Sequence, residues 1–486
     1  MKGILSVLIF FPIFSSLLLL FIKNRNFVWI WSFVVLLFEF LLSLLPLSNF
    51  NFLENFQFIE NYKWIESLNI NYYLGVDGLS YLIIILTTFL ALLGLLSSIN
   101  LIKTRENEFA FWYLFLTGSL VGVFSSLNLF LFFIFYEFSL IPAYFLILIW
   151  GDNDKVKASF KFLLYTAFAS VLLIVSIIII YLQFRTLNYL DLLEQIPLLK
   201  DNLGLLIFVS FAIAFAVKTP IFPFHAWLPD AYTNAPSSVS LIIAGIMAKI
   251  GSYGFLRFLI PLFPHYSIEY GYIFAILSII SIIYGGFMAY VQDNIKRLIA
   301  FSSFSHMGFI TIGIFSLNSY GINGASIQIL NHGIIISALF LISGFLYERF
   351  KTNSISELGG LAKTVPILIV FFGLFMLASV GLPGTNGFVG EFLILLGVSL
   401  KNFSWAIFAV LGVIVSVIYM LPAFQKISYL EIKFEKIKDL NIREWFILTP
   451  LIILIFSIGI YPNFIFKFLQ KPSEYVLNVI KKGGEK

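Results

Sequence analysis

The chain has 486 residues, of which 60% are hydrophobic and only 11% charged, and its formal net charge is +5. Soluble domains carry about 25% charged residues, so a soluble globular protein of this size is excluded. The chain has no cysteine, which excludes disulfides, thiolate metal sites and Cys-ligated iron–sulfur clusters. It also has no Gly-rich phosphate loop or dinucleotide fingerprint, so nucleotide or flavin binding by those motifs is excluded.

Apolar runs of about twenty residues recur along the chain, and each is long enough to cross a hydrocarbon core of about 30 Å as a helix. They lack the alternating polarity that the strands of a membrane barrel need. The first run, Ile4 to Phe21, has no small-residue cleavage site and exceeds the length of a signal-peptide core, so we interpret it as a span. The sequence therefore predicts an all-α polytopic membrane protein with about fourteen transmembrane helices. The predicted spans are 3–22, 27–46, 75–97, 109–126, 129–150, 158–183, 203–233, 238–262, 270–290, 298–316, 324–346, 365–400, 403–425 and 445–466.

The basic residues are distributed unequally between the predicted loops. With the loops numbered in chain order, the odd loops carry sixteen lysines and arginines and the even loops carry four. By the positive-inside rule the odd loops are cytoplasmic, which places both termini on the outer side. The excess of basic residues is thus explained by membrane topology, and no nucleic-acid partner is expected.

Two predicted spans are too long to be simple helices, and both contain helix-breaking residues. Span seven includes AFAVKTPIFPFHAWLPDAY, in which each of three prolines removes a backbone donor, and span twelve includes GLPGTNGFVGE. Because these spans are five apart, spans four to eight and nine to thirteen are predicted to be two five-helix repeats of opposite orientation. Inverted repeats with a broken helix in each are typical of transport proteins. The predicted units are 1–108 (helices 1–3), 109–263 (helices 4–8), 264–426 (helices 9–13) and 427–486 (the last helix and the tail).

Four of the ionisable residues within the predicted spans are singled out as candidate functional groups, because a charge costs about 2.5–3.5 kcal/mol at the helix centre. They are Glu137 in span five, Lys218 at the break of span seven, Lys249 deep in span eight and Glu391 after the break of span twelve. Structural roles are the alternative, such as a lysine that satisfies the carbonyls of a broken helix. We interpret the four as proton carriers, because buried charges without a function are an unexplained cost.

Two histidines, His306 and His332, fall within spans ten and eleven. Histidine titrates near neutrality and can relay a proton through its two ring nitrogens. A hydrogen-bonded packing role is the alternative, and for His332 we weigh the two equally. The hydroxyls of Ser302, Ser303 and Ser305 favour a wet path beside His306.

Two further basic residues lie inside predicted spans, Lys161 and Arg257. We interpret both as anchors at the membrane interface or as supporting groups, and Arg257 lies close enough to the end of span eight to reach the outer interface. No metal site is expected, because no two histidines or carboxylates have ligand spacing on one helix face.

Five stretches of the chain resemble a known family. FYEFSLIP, KTPIFPFHAWLPDAY, AGIMAKIGSYG, DNIKRLIAFSSFSHMG and LPGTNGFVGEF are similar to stretches of the antiporter-like membrane subunits of respiratory complex I, in the same order along essentially the whole chain. The resemblance implies that Glu137, Lys218, Lys249 and Glu391 are that family's proton-translocating residues. A glutamate at the last of these positions resembles the M-type subunits, whereas the L- and N-type subunits and the multisubunit antiporters typically carry lysine there. The L-type also continues into a long lateral helix, for which the sequence after span fourteen leaves no room.

The resemblance implies a proton-translocating subunit in the membrane arm of a bacterial complex I, in the cytoplasmic membrane beside L- and N-type subunits. It implies no cofactor in this chain, with FMN, iron–sulfur clusters and quinone in partner subunits. In the predicted pathway Glu137 pairs with Lys218, whose proton passes to Lys249 and then through His306 or His332 to Glu391. The alternatives are a cation/proton antiporter or membrane-bound hydrogenase subunit with the same fold, a quinone-binding subunit, and a passive scaffold.

Overall fold

The computed structural model describes residues 3–199, 201–435 and 437–484, and these residues are mostly helical. Eleven helices of the described chain are long and apolar enough to cross a membrane, which confirms a polytopic membrane protein. Three shorter apolar helices, α1, α8 and α15 below, accompany them, and the total of fourteen spans stays a prediction. The helices are α1 (Ile4–Leu19), α2 (Arg25–Leu44), α3 (Gly78–Leu101), α4 (Glu106–Ser125), α5 (Leu129–Trp150), α6 (Lys155–Phe184), α7 (Tyr189–Gln195), α8 (Asn202–Lys218), α9 (Trp227–Asn234), α10 (Ser237–Leu262), α11 (Pro264–Tyr290), α12 (Ile295–Phe315), α13 (Ser319–Phe350), α14 (Leu361–Thr364), α15 (Pro366–Ser379), α16 (Asn386–Lys401), α17 (Phe403–Tyr429), α18 (Ile442–Ile460) and α19 (Asn463–Gly484).

Asparagine and aspartate side chains determine where many of the helices begin. At the N-cap position their side-chain oxygen accepts a hydrogen bond from a backbone N–H of the first turn, which has no partner within the helix. Such caps precede α2, α3, α5, α8, α12, α13, α17 and α18. The capping residues are Asn24, Asp77, Asn128, Asp201, Asn294, Asn318, Asn402 and Asn441.

Both predicted helix breaks are present. Helix α8 ends at Lys218, and α9 begins only at Trp227. Helix α15 ends at Ser379, and α16 begins at Asn386. In the second break Gly381 has a φ of 75°, a left-handed conformation that an L side chain rarely adopts. The breaks therefore follow from the prolines and glycines that the sequence places there.

A two-stranded antiparallel hairpin, β1 (Gln57–Ile65) and β2 (Ile70–Val76), joins α2 to α3. The sequence analysis did not predict it, so the expected all-α fold describes the helical bundle but not this connection. The Glu60 carboxylate of β1 accepts a hydrogen bond from the backbone N–H of Leu5 at 2.8 Å. A carboxylate in the first turn of a helix complements the helix dipole. The hairpin thus holds the beginning of α1.

Helices α10, α12 and α13 form the centre of the molecule and are buried along their apolar length. Small residues let α10 and α13 approach each other closely. A Cβ atom added at Gly333 of α13 would lie 2.9 Å from the carbonyl oxygen of Gly245 of α10. One added at Gly245 would collide with the hydroxyl of Ser337. Backbone contact of this kind is what glycine permits between membrane helices.

Helix α10 also packs on the broken end of α8. A Cβ atom added at Gly251 would lie 2.5 Å from the carbonyl oxygen of Phe215 and would collide with Thr219, the residue after Lys218. The glycine therefore sets how closely α10 approaches the break.

We expect Gly251→Ala to lower the thermal stability of the chain, because overpacking a tight contact costs about 1–3 kcal/mol. The control is Gly271→Ala on α11, where the nearest atom to an added Cβ lies 3.7 Å away. The measurement is the temperature at which each variant aggregates in detergent extracts of membranes. Equal temperatures for the two variants would mean that α10 can move off α8 without cost.

Candidate functional site

Lys249 lies in the middle of α10, and only 1% of its surface is exposed. Its Nζ atom donates a hydrogen bond to the Ala244 carbonyl oxygen at 2.5 Å and lies 2.6 Å from Nδ1 of His332 on α13. A buried ammonium needs such partners, because an unpaired charge in an apolar interior is costly. The structure thus brings together two residues that the sequence proposed separately.

The carbonyl that Lys249 uses is released by a local change in α10. The segment Ile243–Met247 is a π-helical turn. The N–H of Ala248 donates to the oxygen of Ile243, five residues back, instead of to that of Ala244. In a regular α-helix the Ala244 oxygen would accept that hydrogen bond. Here it accepts from Lys249 instead.

The polar chain continues from His332 towards α16. The ring centroids of His332 and His306 are 5.8 Å apart. Nδ1 of His306 lies 3.0 Å from Oε1 of Glu391, and these two side chains are 6% and 7% exposed. We call Lys249, His332, His306 and Glu391 the central row. It joins α10, α13, α12 and α16 through the interior of the protein.

Two further residues lie close to the Glu391 carboxylate. Gln328 of α13 places Nε2 3.5 Å from Oε1 of Glu391. A Cβ atom added at Gly381, in the break before α16, would lie 2.8 Å from the other carboxylate oxygen. Gln328 was not singled out in the sequence, because a glutamine in an apolar helix carries no charge to signal a function.

Lys218 and Glu137 are not in contact in this structure. Neither Nζ of Lys218 nor Oε1 of Glu137 has a hydrogen-bond partner among the described residues. The ammonium instead lies 4.4 Å from the centroid of the Tyr136 ring, over which a cation is attracted to the π electrons. The predicted direct pair is therefore not formed, because the tyrosine that precedes Glu137 on α5 faces the lysine. Tyr136 is a site residue that the sequence analysis missed.

Arg257 is buried in the protein. Its guanidinium forms an ion pair of 2.5 Å with Asp77, and the two side chains are 6% and 5% exposed. Asp77 also caps α3. Of the two roles expected for Arg257, this buried ion pair, which joins α10 to the beginning of α3, fits the supporting one.

Lys161 of α6 contacts the second half of the first broken helix. Its Nζ donates to Asp230 of α9 at 2.7 Å, and Arg297 of α12 donates to the other oxygen of that carboxylate at 3.1 Å. These two contacts hold α9 between α6 and α12. In the described part of the chain, no group of three or more histidines and carboxylates could hold a metal ion.

Glu39 of α2 is a further buried acid that the sequence analysis did not single out. It is fully buried, and neither carboxylate oxygen has a hydrogen-bond partner within the described ranges. The signal was present in the sequence, since Glu39 is the only charged residue in the run VVLLFEFLL.

Comparisons with known proteins identify the family of this chain. Residues 126–418 match the family described as NADH:quinone oxidoreductase/Mrp antiporter, TM, and residues 7–124 match NADH-ubiquinone oxidoreductase chain 4, amino terminus. NADH-quinone oxidoreductase subunit M of Rickettsia prowazekii (strain Madrid E) is 42% identical over 492 residues, covering 98% of each chain. The chain belongs to the NADH-quinone oxidoreductase subunit M family. This confirms the resemblance found in the sequence.

Two solved structures share the fold. A chain of respiratory complex I from Thermus thermophilus with bound NADH superimposes with a TM-score of 0.89 at 30% identity, covering 98% of this chain and 99% of that one. A chain of the Mrp complex from Dietzia sp. DQ12-45-1b gives a TM-score of 0.88 at 18% identity, covering 98% and 99%. The subunit M family therefore shares its fold with a chain of the Mrp complex.

The buried pair of Arg257 and Asp77 yields a stability prediction. Arg257→Met leaves the Asp77 carboxylate buried without its counter-charge, which costs about 3–5 kcal/mol. The control is Arg105→Met, because Arg105 and Glu108 form an exposed pair (53% and 34%) whose loss costs about 1 kcal/mol or less. Aggregation temperature in membrane extracts measures both, and adding Asp77→Asn to Arg257→Met should recover part of the loss. A Met variant as stable as the control would show that the buried pair is not needed.

Proposed function

We propose that this chain is a proton-translocating subunit in the membrane arm of a type I NADH-quinone oxidoreductase. Membership of the subunit M family supports this role. The observation that carries it is the central row, a set of titratable groups that crosses an interior in which a charge is otherwise costly. Such rows of acids, bases and histidines are the means by which membrane proteins move protons.

The geometry of the central row suggests how a proton passes along it. Nζ of Lys249 gives a proton to Nδ1 of His332, which it already contacts. The Nε2 atoms of His332 and His306 have no hydrogen-bond partner among the described residues, and one water between the rings completes the next step. His306 then gives its Nδ1 proton to Glu391. Each imidazole accepts a proton on one nitrogen and releases one from the other.

Lys218 is proposed to be the group that loads the central row. The two side chains are apart in this structure, and a movement that brings Glu137 to Lys218 would load the lysine, because a nearby carboxylate favours the charged ammonium. When a neighbouring subunit draws Glu137 away, the proton leaves Lys218 for Lys249. The packing of Gly251 on the broken end of α8 supports this order, because it places the helix that carries Lys249 against the residue after Lys218.

The finer architecture is part of the proposal. We infer fourteen spans with units 1–108, 109–263, 264–426 and 427–486, the two middle units being inverted repeats. Both termini then lie outside a bacterial cytoplasmic membrane, as the loop charges indicate. Partner subunits, including L- and N-type antiporter-like subunits, complete the membrane arm. FMN, iron–sulfur clusters and the quinone site belong to partner subunits. The absence of cysteine supports this for Cys-ligated clusters.

The fold also supports a second function, in which the chain is a subunit of a cation/proton antiporter or membrane-bound hydrogenase. A chain of the Mrp complex superimposes closely on it. Glu391 argues against it, because the antiporters typically carry lysine at this position. Purification with partner subunits and their identification by mass spectrometry separates the two functions.

We expect Glu137→Ala, Lys218→Ala and Lys249→Ala to leave the chain assembled while proton pumping falls on the order of a hundredfold, the typical contribution of a positioned proton-transfer group. The control is Lys401→Ala, which removes an exposed lysine at the end of α16. The measurement is NADH-driven acidification of inside-out vesicles, with complex assembly followed on native gels. Pumping at the level of the control would remove that residue from the pathway.

Variants of Glu391, the last member of the central row, test whether this position needs a negative charge or an exchangeable proton. Glu391→Gln is nearly isosteric but has no exchangeable acid proton, so pumping should fall strongly while folding is retained. Glu391→Lys carries an exchangeable proton and should retain more activity than the Gln variant, with a shifted pH optimum. Vesicle pumping across a pH series measures this, with exposed Glu194→Gln as the control. Full pumping by Glu391→Gln would make Glu391 structural.

A further inference from the structure

A polar cavity of about 440 Å³ lies where the loop between α11 and α12 meets the end of α17. Its polar lining comprises Gln292, Asp293, Tyr419 and Lys426. Asp293 and Lys426 are exposed, whereas Tyr419 is 2% exposed. The cavity therefore runs from the protein surface to a buried tyrosine.

The carboxylate of Asp293 lies at the outer end of the cavity and is held there by hydrogen bonds. Partial burial raises the pKa of Asp293, but hydrogen bonds from Ser354 and Ser356 and the charge of Lys426 outweigh burial, so the pKa lies below its ordinary value. The Ser356 hydroxyl donates to this carboxylate at 2.9 Å and the Ser354 hydroxyl at 2.5 Å. Asp293 is thus a fixed anion at the mouth, where it attracts cations.

The inner end of the cavity is closed by one hydrogen bond. The hydroxyl of Tyr419 on α17 donates to Oγ of Ser302 on α12 at 2.8 Å. Tyr419 is seven residues from Lys426, or roughly 10 Å along the helix. The cavity therefore extends along α17 by about a third of the thickness of a hydrocarbon core, which is about 30 Å.

On the far side of this hydrogen bond lies the central row. Ser302 and His306 are four residues apart on α12 and so share a face of that helix. Ser303, one residue on, is fully buried, and its hydroxyl has no hydrogen-bond partner within the described chain. Nε2 of His306 has none either. Buried polar atoms of this kind are normally satisfied by ordered water. These groups extend a polar path from Ser302 to His306.

We propose that this cavity is a second access route, through which protons reach the Glu391 end of the central row without passing Lys218 and Lys249. The inference rests on the proposed function. A proton enters from water in the cavity onto the Tyr419 oxygen while the tyrosine gives its own proton to Ser302. Ser302 passes a proton through water to Nε2 of His306, which releases one from Nδ1 to Glu391. Each hydroxyl gains one proton and loses one, so only Glu391 ends with a proton added.

The face on which the cavity opens matters for the direction of transport. Asp293 and Lys426 lie in or beside odd loops, which the distribution of basic residues places in the cytoplasm. The route then supplies Glu391 from the cytoplasmic side. The Tyr419–Ser302 hydrogen bond is its narrowest point.

The first test uses the absence of cysteine from the chain. Single cysteines are introduced at Ala423, which lines the cavity, and at Ala409 on the same helix, which is fully buried and is not part of the lining. The assembled complex is treated in inside-out and right-side-out vesicles with a membrane-impermeant methanethiosulfonate, and labelling of this chain is read by mass spectrometry. We expect Ala423→Cys to be labelled in inside-out vesicles alone and Ala409→Cys in neither. An unlabelled Ala423→Cys, or one labelled from the other side, overturns the route.

A second experiment tests whether Tyr419 closes the inner end of the cavity. Ser303→Cys should be protected in the native background and labelled from the cavity side when Tyr419→Ala is added. Protection in both backgrounds overturns the assignment of Tyr419 as the closing residue. Labelling in both backgrounds overturns it equally.

The third arm measures transport. The variants are made in the Lys249→Ala background, where the central row no longer supplies Glu391. There Tyr419→Phe keeps the ring but removes the hydroxyl, and we expect the remaining pumping to fall on the order of tenfold, less than for a primary acid–base group because water can replace part of the relay. Ser302→Ala should have the same effect, and the double variant should be no worse than either single one. The control is Tyr113→Phe, a buried tyrosine on α4 that donates to the Ala91 carbonyl oxygen.

These experiments distinguish the access route from the proposed function of the chain. If Lys249→Ala lowers pumping and adding Tyr419→Phe to it has no more effect than adding Tyr113→Phe, the access route is wrong and the proposed function stands. If Lys249→Ala pumps normally both with and without Tyr419→Phe, the proposed function is wrong, whereas the sided labelling of Ala423→Cys still reports whether the cavity is an open aqueous route.

Discussion

The interior of this protein is organised around one buried ammonium group. Lys249 lies where hydrocarbon-like side chains surround it, and its charge is tolerated because two partners meet its Nζ atom, the carbonyl of Ala244 and the ring of His332. The first partner requires the π-helical turn of α10. The second requires that α10 and α13 touch through Gly245 and Gly333. The helix packing at the centre and the position of the charge are therefore consequences of the same residues.

Much of the site can be predicted from the sequence, for a simple physical reason. Ionisable residues are rare in apolar runs, so Glu137, Lys218, Lys249 and Glu391 are visible without a structure. The helix breaks are visible too, because proline removes a donor and a glycine-rich segment tolerates unusual backbone angles. Glu39 shows the limit of this reasoning, since the same signal was present there and was not used.

The contacts could not be predicted, because each joins residues that are distant along the chain. His332 reaches Lys249 only after two helices have packed, and Arg257 finds Asp77 across 180 positions. The hairpin was missed because its strands, rich in aromatic residues and asparagine, lie between two apolar runs and lack the Asn-Gly or Asp-Gly turn that signals a hairpin most strongly. The Tyr136 ring lies beside Lys218 because of the rotation of α5, which a run of uniformly apolar residues does not reveal.

Helix α10 contains a second π-helical turn, Phe255–Leu259, so Lys249–Gly254 lies between two such turns. A π-helical turn accommodates one residue more than a regular turn, and each residue of an α-helix adds a rotation of about 100°. The first turn therefore displaces the residues that follow it by about 100° around the helix axis relative to an uninterrupted α-helix. The side of α10 from which Lys249 meets His332 thus depends on a one-residue insertion.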